Sequence, residues 1–376
     1  MASIVDKPKE SHQNDLLGIE KYTEGLIRFI STSATPITIG IQGEWGSGKT
    51  SLLNTIKQEL CDRDNADFYP VWLNTWEYSL LSSADETLIR IITGLVEQIS
   101  SMMDNGKSEK SKKAFAALGS IAKKLGGEVG GLSGKIVEMT GEALESSLSK
   151  SETNSIQALR QALQDVVNEA IEKGNRKAII FFVDDLDRLE PAIAVNILEL
   201  IKNLFDLENC IFVLAIDYGV VVKGLQSKFG VMTEENEWEF RAFFDKIIQL
   251  PFSMPTSSYD LSKYIKSLLI NVKYFSETDL NDAKRLENIV EVTSLSVGTN
   301  PRALIRLVNS AALIEIIRGD DDITPDERII EYALLCTQIA YPLIYGLIQK
   351  NPNFEEWDEQ LAGEILKSKK INLSDL

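Results

Sequence analysis

The stretch Gly43-Glu44-Trp45-Gly46-Ser47-Gly48-Lys49-Thr50 constrains this chain more than any other part of it. It follows a short apolar run, residues 36–42, and precedes KTSLLNTIKQEL, in which Leu52, Leu53, Ile56 and Leu60 share one helical face. The order strand, glycine loop, helix therefore holds across one G-x-x-x-x-G-K-[ST] pattern. Glycines let backbone N–H groups turn inward around a phosphate without Cβ clashes. The helix that follows adds its positive N-terminus. Lys49 is placed to reach β- and γ-phosphates, and the Thr50 hydroxyl to ligate Mg²⁺. Gly43, Glu44, Trp45, Gly46, Ser47, Gly48, Lys49, Thr50 and Ser51 form the expected nucleotide-binding set.

A second signal complements the first. AIIFFV, residues 178–183, is apolar without alternation and ends in Asp184 and Asp185, as suits a parallel strand buried on both faces. An acid there can hold the water shell of Mg²⁺ beside Thr50, which makes Asp184 the metal candidate. Asp185 is the candidate for polarising the attacking water. An acid after a strand also often caps the next helix, and Asp187 with Arg188 equally suit a local pair. Asn300-Pro301-Arg302 has helix-start chemistry, an N-cap followed by proline. Arg302 and Arg306 then share a face, either as solvated arginines or as contacts to a γ-phosphate.

Further apolar runs at 67–76, 210–216 and 246–252 read as strands, with helices between them. The expected fold is α/β: a three-layer core around a five-stranded parallel sheet, followed by a helical region. Residues 1–17 read as a flexible arm, 18–255 as the core, 256–318 as a helical lid and 319–376 as a C-terminal helical segment. Residues 103–152 hold eight of the 23 glycines and eight serines, and read as an insertion, flexible or weakly helical. Its six lysines between Lys107 and Lys124 suit a solvated face, or contact with acidic lipid or a nucleic-acid backbone. Tyr332 to Ile348 is the most apolar stretch, but at 17 residues with three tyrosines and a proline it reads as a buried helix, leaving at most peripheral membrane contact.

Composition removes several kinds of chemistry. The one histidine, His12, lies in the arm, which sets aside Ser-His-Asp and Cys-His groups and His-rich zinc sites unless the arm folds into a site. Cys61, Cys210 and Cys336 are odd in number and far apart, which favours a reducing, cytoplasmic setting over a disulfide framework. A net charge of −17 counts against nucleic-acid partners except through a local basic surface.

Several blocks together resemble the KAP family of P-loop NTPases, which takes in an animal neuronal membrane scaffold and bacterial phage-exclusion proteins. They are IGIQGEWGSGKTSLLN, VWLNTWEYS, IIFFVDDLDRLEP, FVLAIDYGVV, FFDKIIQLPFSMP and NPRALIRLVN, in the family's order over about residues 15–315. The resemblance implies a parallel core of the additional-strand class with a helical lid, ATP and Mg²⁺ as cofactors, and antiphage defence as the setting. It places the phosphate-loop, metal and water-activating roles on Gly43–Thr50, Asp184 and Asp185. Several family members carry membrane helices after the phosphate loop, and residues 103–152 hold no such apolar segment. Nucleotide-controlled assembly implies a homo-oligomer, with an effector or partner protein engaged through the C-terminal segment. Related oligomeric ATPases insert an arginine from a neighbour near the place of Arg241; the alternative is that Arg241 pairs with an acid of the EENEWE run. The rival functions are a nucleotide-gated scaffold with negligible turnover and a nucleic-acid-dependent motor.

Overall fold

A computed structural model of the chain describes residues 3–8, 15–79, 84–102, 108–124, 152–204, 207–319 and 323–350. His12 and residues 351–376 lie outside these. The chain divides into two units, one formed by residues 21–254 and the other by residues 255 onward with 3–7 and 15–20.

In the first unit the chain runs α1 (Glu20–Thr32), β1 (Ile37–Gln42), α2 (Lys49–Leu60), β2 (Phe68–Asn74), α3 (Thr75–Ser79), α4 (Ala84–Ser101), α5 (Glu109–Lys124) and α6 (Glu152–Gly174). It continues through β3 (Ala178–Asp184), α7 (Pro191–Leu204), β4 (Cys210–Ile216), α8 (Tyr218–Phe229), α9 (Glu237–Ile247) and β5 (Leu250–Ser253). All four strand pairings are parallel and the sheet order is β2-β3-β4-β1-β5. β3 and β4 are the uninterrupted apolar runs, and every residue in both is buried. The two strand prolines, Pro70 and Pro251, fall on the edge strands β2 and β5, where a missing N–H costs no ladder bond on the open side.

Alternation along the strands divides the core in two. On one face Ile39, Ile41, Ile180, Phe182 and Val213 meet Leu26 and Ile30 of α1 and Leu52, Leu53 and Ile56 of α2. On the other, Val71, Phe181, Val183, Phe212 and Leu214 meet α4 to α9. Phe181 and Phe212 stack there with centroids 4.5 Å apart. Side chains of this size each contribute about 1.5–3 kcal/mol on full burial, so the sheet centre dominates the stability of this unit.

Three expectations are corrected. The fifth strand starts at Leu250, not at residue 246, because Phe240, Phe243, Phe244 and Ile247 continue a buried helical face to the end of α9. Within the insertion at 103–152 the described residues are helical from Glu109 on, but the lysine-rich stretch is not only a solvated face: α5 buries Ala114, Phe115 and Leu118 in the main core, with Phe115 1% exposed. A single apolar stripe sufficed to fold it among residues that are otherwise small or charged. The arm is not loose where it is described. Ile4 exchanges two hydrogen bonds with the Asn309 side chain, 2.7 and 2.9 Å, and Leu16 and Leu17 pack on the core of the second unit.

The second unit is helical: α10 (Leu261–Asn271), α11 (Ala283–Ser296), α12 (Pro301–Arg318), α13 (Pro325–Ala340) and α14 (Pro342–Lys350). Each start has a physical cause. Asp260, Asp282, Asn300 and Thr324 cap α10 to α13 with side-chain oxygens, and Thr324 with Glu327 closes a capping box. The stretch Tyr332–Ile348 is not one buried helix. It breaks at Tyr341, since Pro342 has no N–H to continue α13, and Leu334, Ile339 and Leu343 are exposed. Among the described residues no helix is long and apolar enough to cross a membrane.

Candidate nucleotide site

The loop leaving β1 is built by close packing. Gly43 donates its N–H to the Ile216 carbonyl at 3.2 Å, and a Cβ at Gly43 would lie 2.5 Å from Ser47 Oγ and 2.9 Å from Met254 Cγ. Gly46 and Gly48 take φ of 88° and 100°, the left-handed region that side chains disfavour. Gly48 also stands at the N-cap of α2, where no side chain caps the helix. The first N–H groups of α2 thus face outward at the positive end of a helix, the arrangement that accepts phosphate.

Lys49 lies folded back under this loop. Its Nζ donates to the carbonyls of Gly43 (2.9 Å) and Glu44 (3.2 Å) and pairs with Asp187 Oδ2 at 3.1 Å. Lysine and aspartate side chains are each only 7% exposed. Asp187 is therefore no local partner of Arg188; it reaches a residue 138 positions away. Composition and spacing carried no signal for that pairing.

Asp184 ends β3 and is buried. It accepts hydrogen bonds from the Thr50 hydroxyl and from the Asp185 N–H, and these partly offset the burial that pushes its carboxyl above the usual aspartate range. The Thr75 hydroxyl, at the start of α3, donates to the Asp184 carbonyl at 2.9 Å and ties β2 to this corner. A hydroxyl and a carboxylate in contact, beside the uncapped N-terminus of α2, are hard oxygen donors that fit Mg²⁺ bound with a phosphate chain.

Asp185 occupies a different setting. Its φ is 60°, and its carboxylate pairs with Arg188 Nε at 2.7 Å, while the Arg188 guanidinium lies 5.5 Å from the Trp76 ring centroid. Trp45 is largely exposed at the tip of the loop, and Ser51 lies in the first turn of α2. Arg241 is an exposed residue of α9 and pairs with Glu237 at 2.6 Å, an acid of the EENEWE run. Arg302 and Arg306 belong to α12 in the second unit, where Arg302 pairs with Asp6 of the arm at 2.5 Å and Arg306 is exposed.

Reading 67–76 as strand hid the polar corner that follows β2. The strand ends at Asn74, and Thr75, Trp76 and Glu77 belong to a short helix at the same end of the sheet as Asp184. The dense polar run N-T-W-E was the available signal.

A parallel sheet in which β4 separates the phosphate-loop strand β1 from the acid-bearing strand β3 defines a P-loop NTPase of the additional-strand class. The KAP family P-loop domain matches residues 19–317, and the chain belongs to that family. It is also similar to the phage T7 exclusion protein of Escherichia coli (strain K12), 23% identical over 393 residues that take in 99% of this chain and 50% of that protein. The chain thus spans about half the length of this relative.

Proposed function

We propose that the chain binds ATP with Mg²⁺ and hydrolyses it, and that nucleotide state controls assembly or signalling in the exclusion of bacteriophage. The observation that carries the nucleotide reading is Lys49, a buried ammonium held beneath a loop of left-handed glycines and next to the Thr50–Asp184 pair. The phage setting is supported by the family and by the name of the relative.

In this reading the phosphate loop and the N-terminus of α2 bind the β-phosphate through backbone amides, and Lys49 exchanges Asp187 for phosphate oxygens. Thr50 and Asp184 hold Mg²⁺, which neutralises charge on the phosphates when bound. ATP is favoured over GTP because the sequence has no N/T-K-x-D guanine motif. The test is calorimetric binding of ATP and GTP with and without Mg²⁺, paired with a phosphate-release assay. MgATP binding at micromolar concentration with measurable release is expected, and absence of nucleotide binding by the folded chain overturns the reading.

One observation favours a slower protein, the nucleotide-gated scaffold. Asp185 and Asp187, the acids next to Asp184, are both engaged by basic side chains, Arg188 and Lys49. Mass measurement with a non-hydrolysable ATP analogue separates the two. A scaffold changes its assembly state on binding while releasing no phosphate from ATP.

A further inference from the structure

Asn74 lies opposite Asp184 in the parallel register of β2 and β3. Strand residues two apart share a face. Phe68 and Trp72, of the same parity as Asn74, pack with Ala178, Ile180 and Phe182 on the face covered by α2. Asn74 and Asp184 therefore share the α2 face, the side from which Thr50 reaches Asp184.

The hydrogen bonding of Asn74 is incomplete. Its Nδ2 donates to Glu77 Oε1 at 3.0 Å, but its Oδ1 is buried and accepts from no described residue. An amide oxygen left without a donor is costly, and a donor brought to this corner would recover that cost. Glu77 is a neighbouring carboxylate that no base engages among the described residues: its partner is the neutral amide of Asn74, through one oxygen. Asp185 and Asp187 are each paired with a cation. A carboxylate held through one oxygen by a neutral amide keeps the other oxygen for a water, whereas one engaged by a guanidinium or ammonium already has a cation as its partner.

We infer that Asn74 and Glu77 hold the attacking water, and that Glu77 accepts its proton. The inference rests on the ATPase reading above and assigns the proton acceptor of that site. One water O–H donates to Asn74 Oδ1 and the other to the free oxygen of Glu77, which leaves an oxygen lone pair for the γ-phosphorus. As the new P–O bond forms, the bond from γ-phosphorus to the β–γ bridging oxygen breaks. Its electron pair leaves on ADP, and the water proton passes to Glu77, giving ADP and inorganic phosphate. Glu77 is then a catalytic residue; Asn74 orients both it and the water.

The experiment compares the full-length wild type with Glu77→Gln and Asn74→Ala in MgATP binding and in the pH dependence of steady-state hydrolysis. Glu77 is exposed, so its isosteric amide leaves the fold intact. Wild-type binding is expected in both variants. Glu77→Gln should lose about 10²- to 10⁴-fold in kcat, the range for a general base, together with the acid limb of the pH profile. Asn74→Ala should lose kcat with little change in KM and keep the acid limb, because the Glu77 carboxylate is still present. Glu77→Gln with wild-type kcat and an intact acid limb overturns the inference. So does loss of both in Asp185→Asn but not in Glu77→Gln, which hands the proton to Asp185. Wild-type protein that binds MgATP without turnover overturns it too and leaves the scaffold reading, whereas wild type that binds no nucleotide overturns the ATPase reading itself.

Discussion

Lys49 and Asp187 neutralise each other in a corner closed to solvent, and this makes the phosphate-loop lysine a stability residue as well as a binding one. Lys49→Ala should abolish nucleotide hydrolysis. It should also cost about 3–5 kcal/mol in urea unfolding, because Asp187 is left as a buried charge without a partner. The double variant Lys49→Ala with Asp187→Asn should recover most of that stability and none of the activity. Asp184 has the opposite balance. A carboxylic acid whose pKa is raised on folding binds its proton more tightly folded than unfolded, so stability falls as pH rises from the unfolded value of 3.8 through the folded one. As pH rises through that range Asp184 therefore comes to oppose folding. Asp184→Asn, which keeps the shape and drops the charge, should raise Tm without nucleotide and lose the further rise that MgATP produces in wild type. An unchanged or lower Tm in the ligand-free variant would count against this account.

At the scale of elements, α5 sets what the segment after α4 can lose. Excising the whole of 105–150 would be harmless if loop length alone mattered, since closure entropy grows only logarithmically. Phe115 and Leu118 change that, because both are buried in the main core. Phe115→Ala should cost about 3–5 kcal/mol, and excision of 105–150 should give aggregated protein, seen by unfolding and by size exclusion. The arm works on the same principle at lower energy. Asn309→Ala removes both hydrogen bonds to Ile4 and should lower stability by about 1–3 kcal/mol, most of it from the two backbone groups. The Asp6–Arg302 pair is partly exposed and contributes little beside it.

For the whole molecule, the three thiols and the assembly state give the readouts. Burial pushes Cys61 up to about 12 and Cys336 up to about 11, and drives Cys210 higher still. The thiolate is the reactive form, so native protein should resist alkylation near neutral pH and react fully in denaturant. The same shifts hold their stabilising effect below the unfolded value of 9.0 and lose it as pH rises toward the folded values. Stability should therefore decline on the alkaline side of pH 9. If Arg241 acts on a neighbour's nucleotide, mixing Arg241→Ala with Lys49→Ala protein should restore part of the turnover. Specific activity should then rise with protein concentration. No rescue on mixing would leave Arg241 with Glu237, its partner within the chain.

What was legible from the residues was whatever is local or periodic. A glycine loop dictates its own turn, an unbroken apolar run of seven dictates a strand buried on both faces, and an N-cap followed by proline starts a helix. Those signals sufficed for the parallel sheet, the phosphate loop and the acid at the end of β3. They misplaced the start of β5, because a buried helical face and a strand look alike over the short run KIIQLPF. They undervalued α5, because burial depends on neighbours and not on composition. The long-range partnerships inside the site were settled only by tertiary structure: Lys49 with Asp187, and Asn74 beside Asp184. Sequence order says nothing about which strands lie side by side, and a carboxylate's chemistry is set by the charge that packing brings next to it.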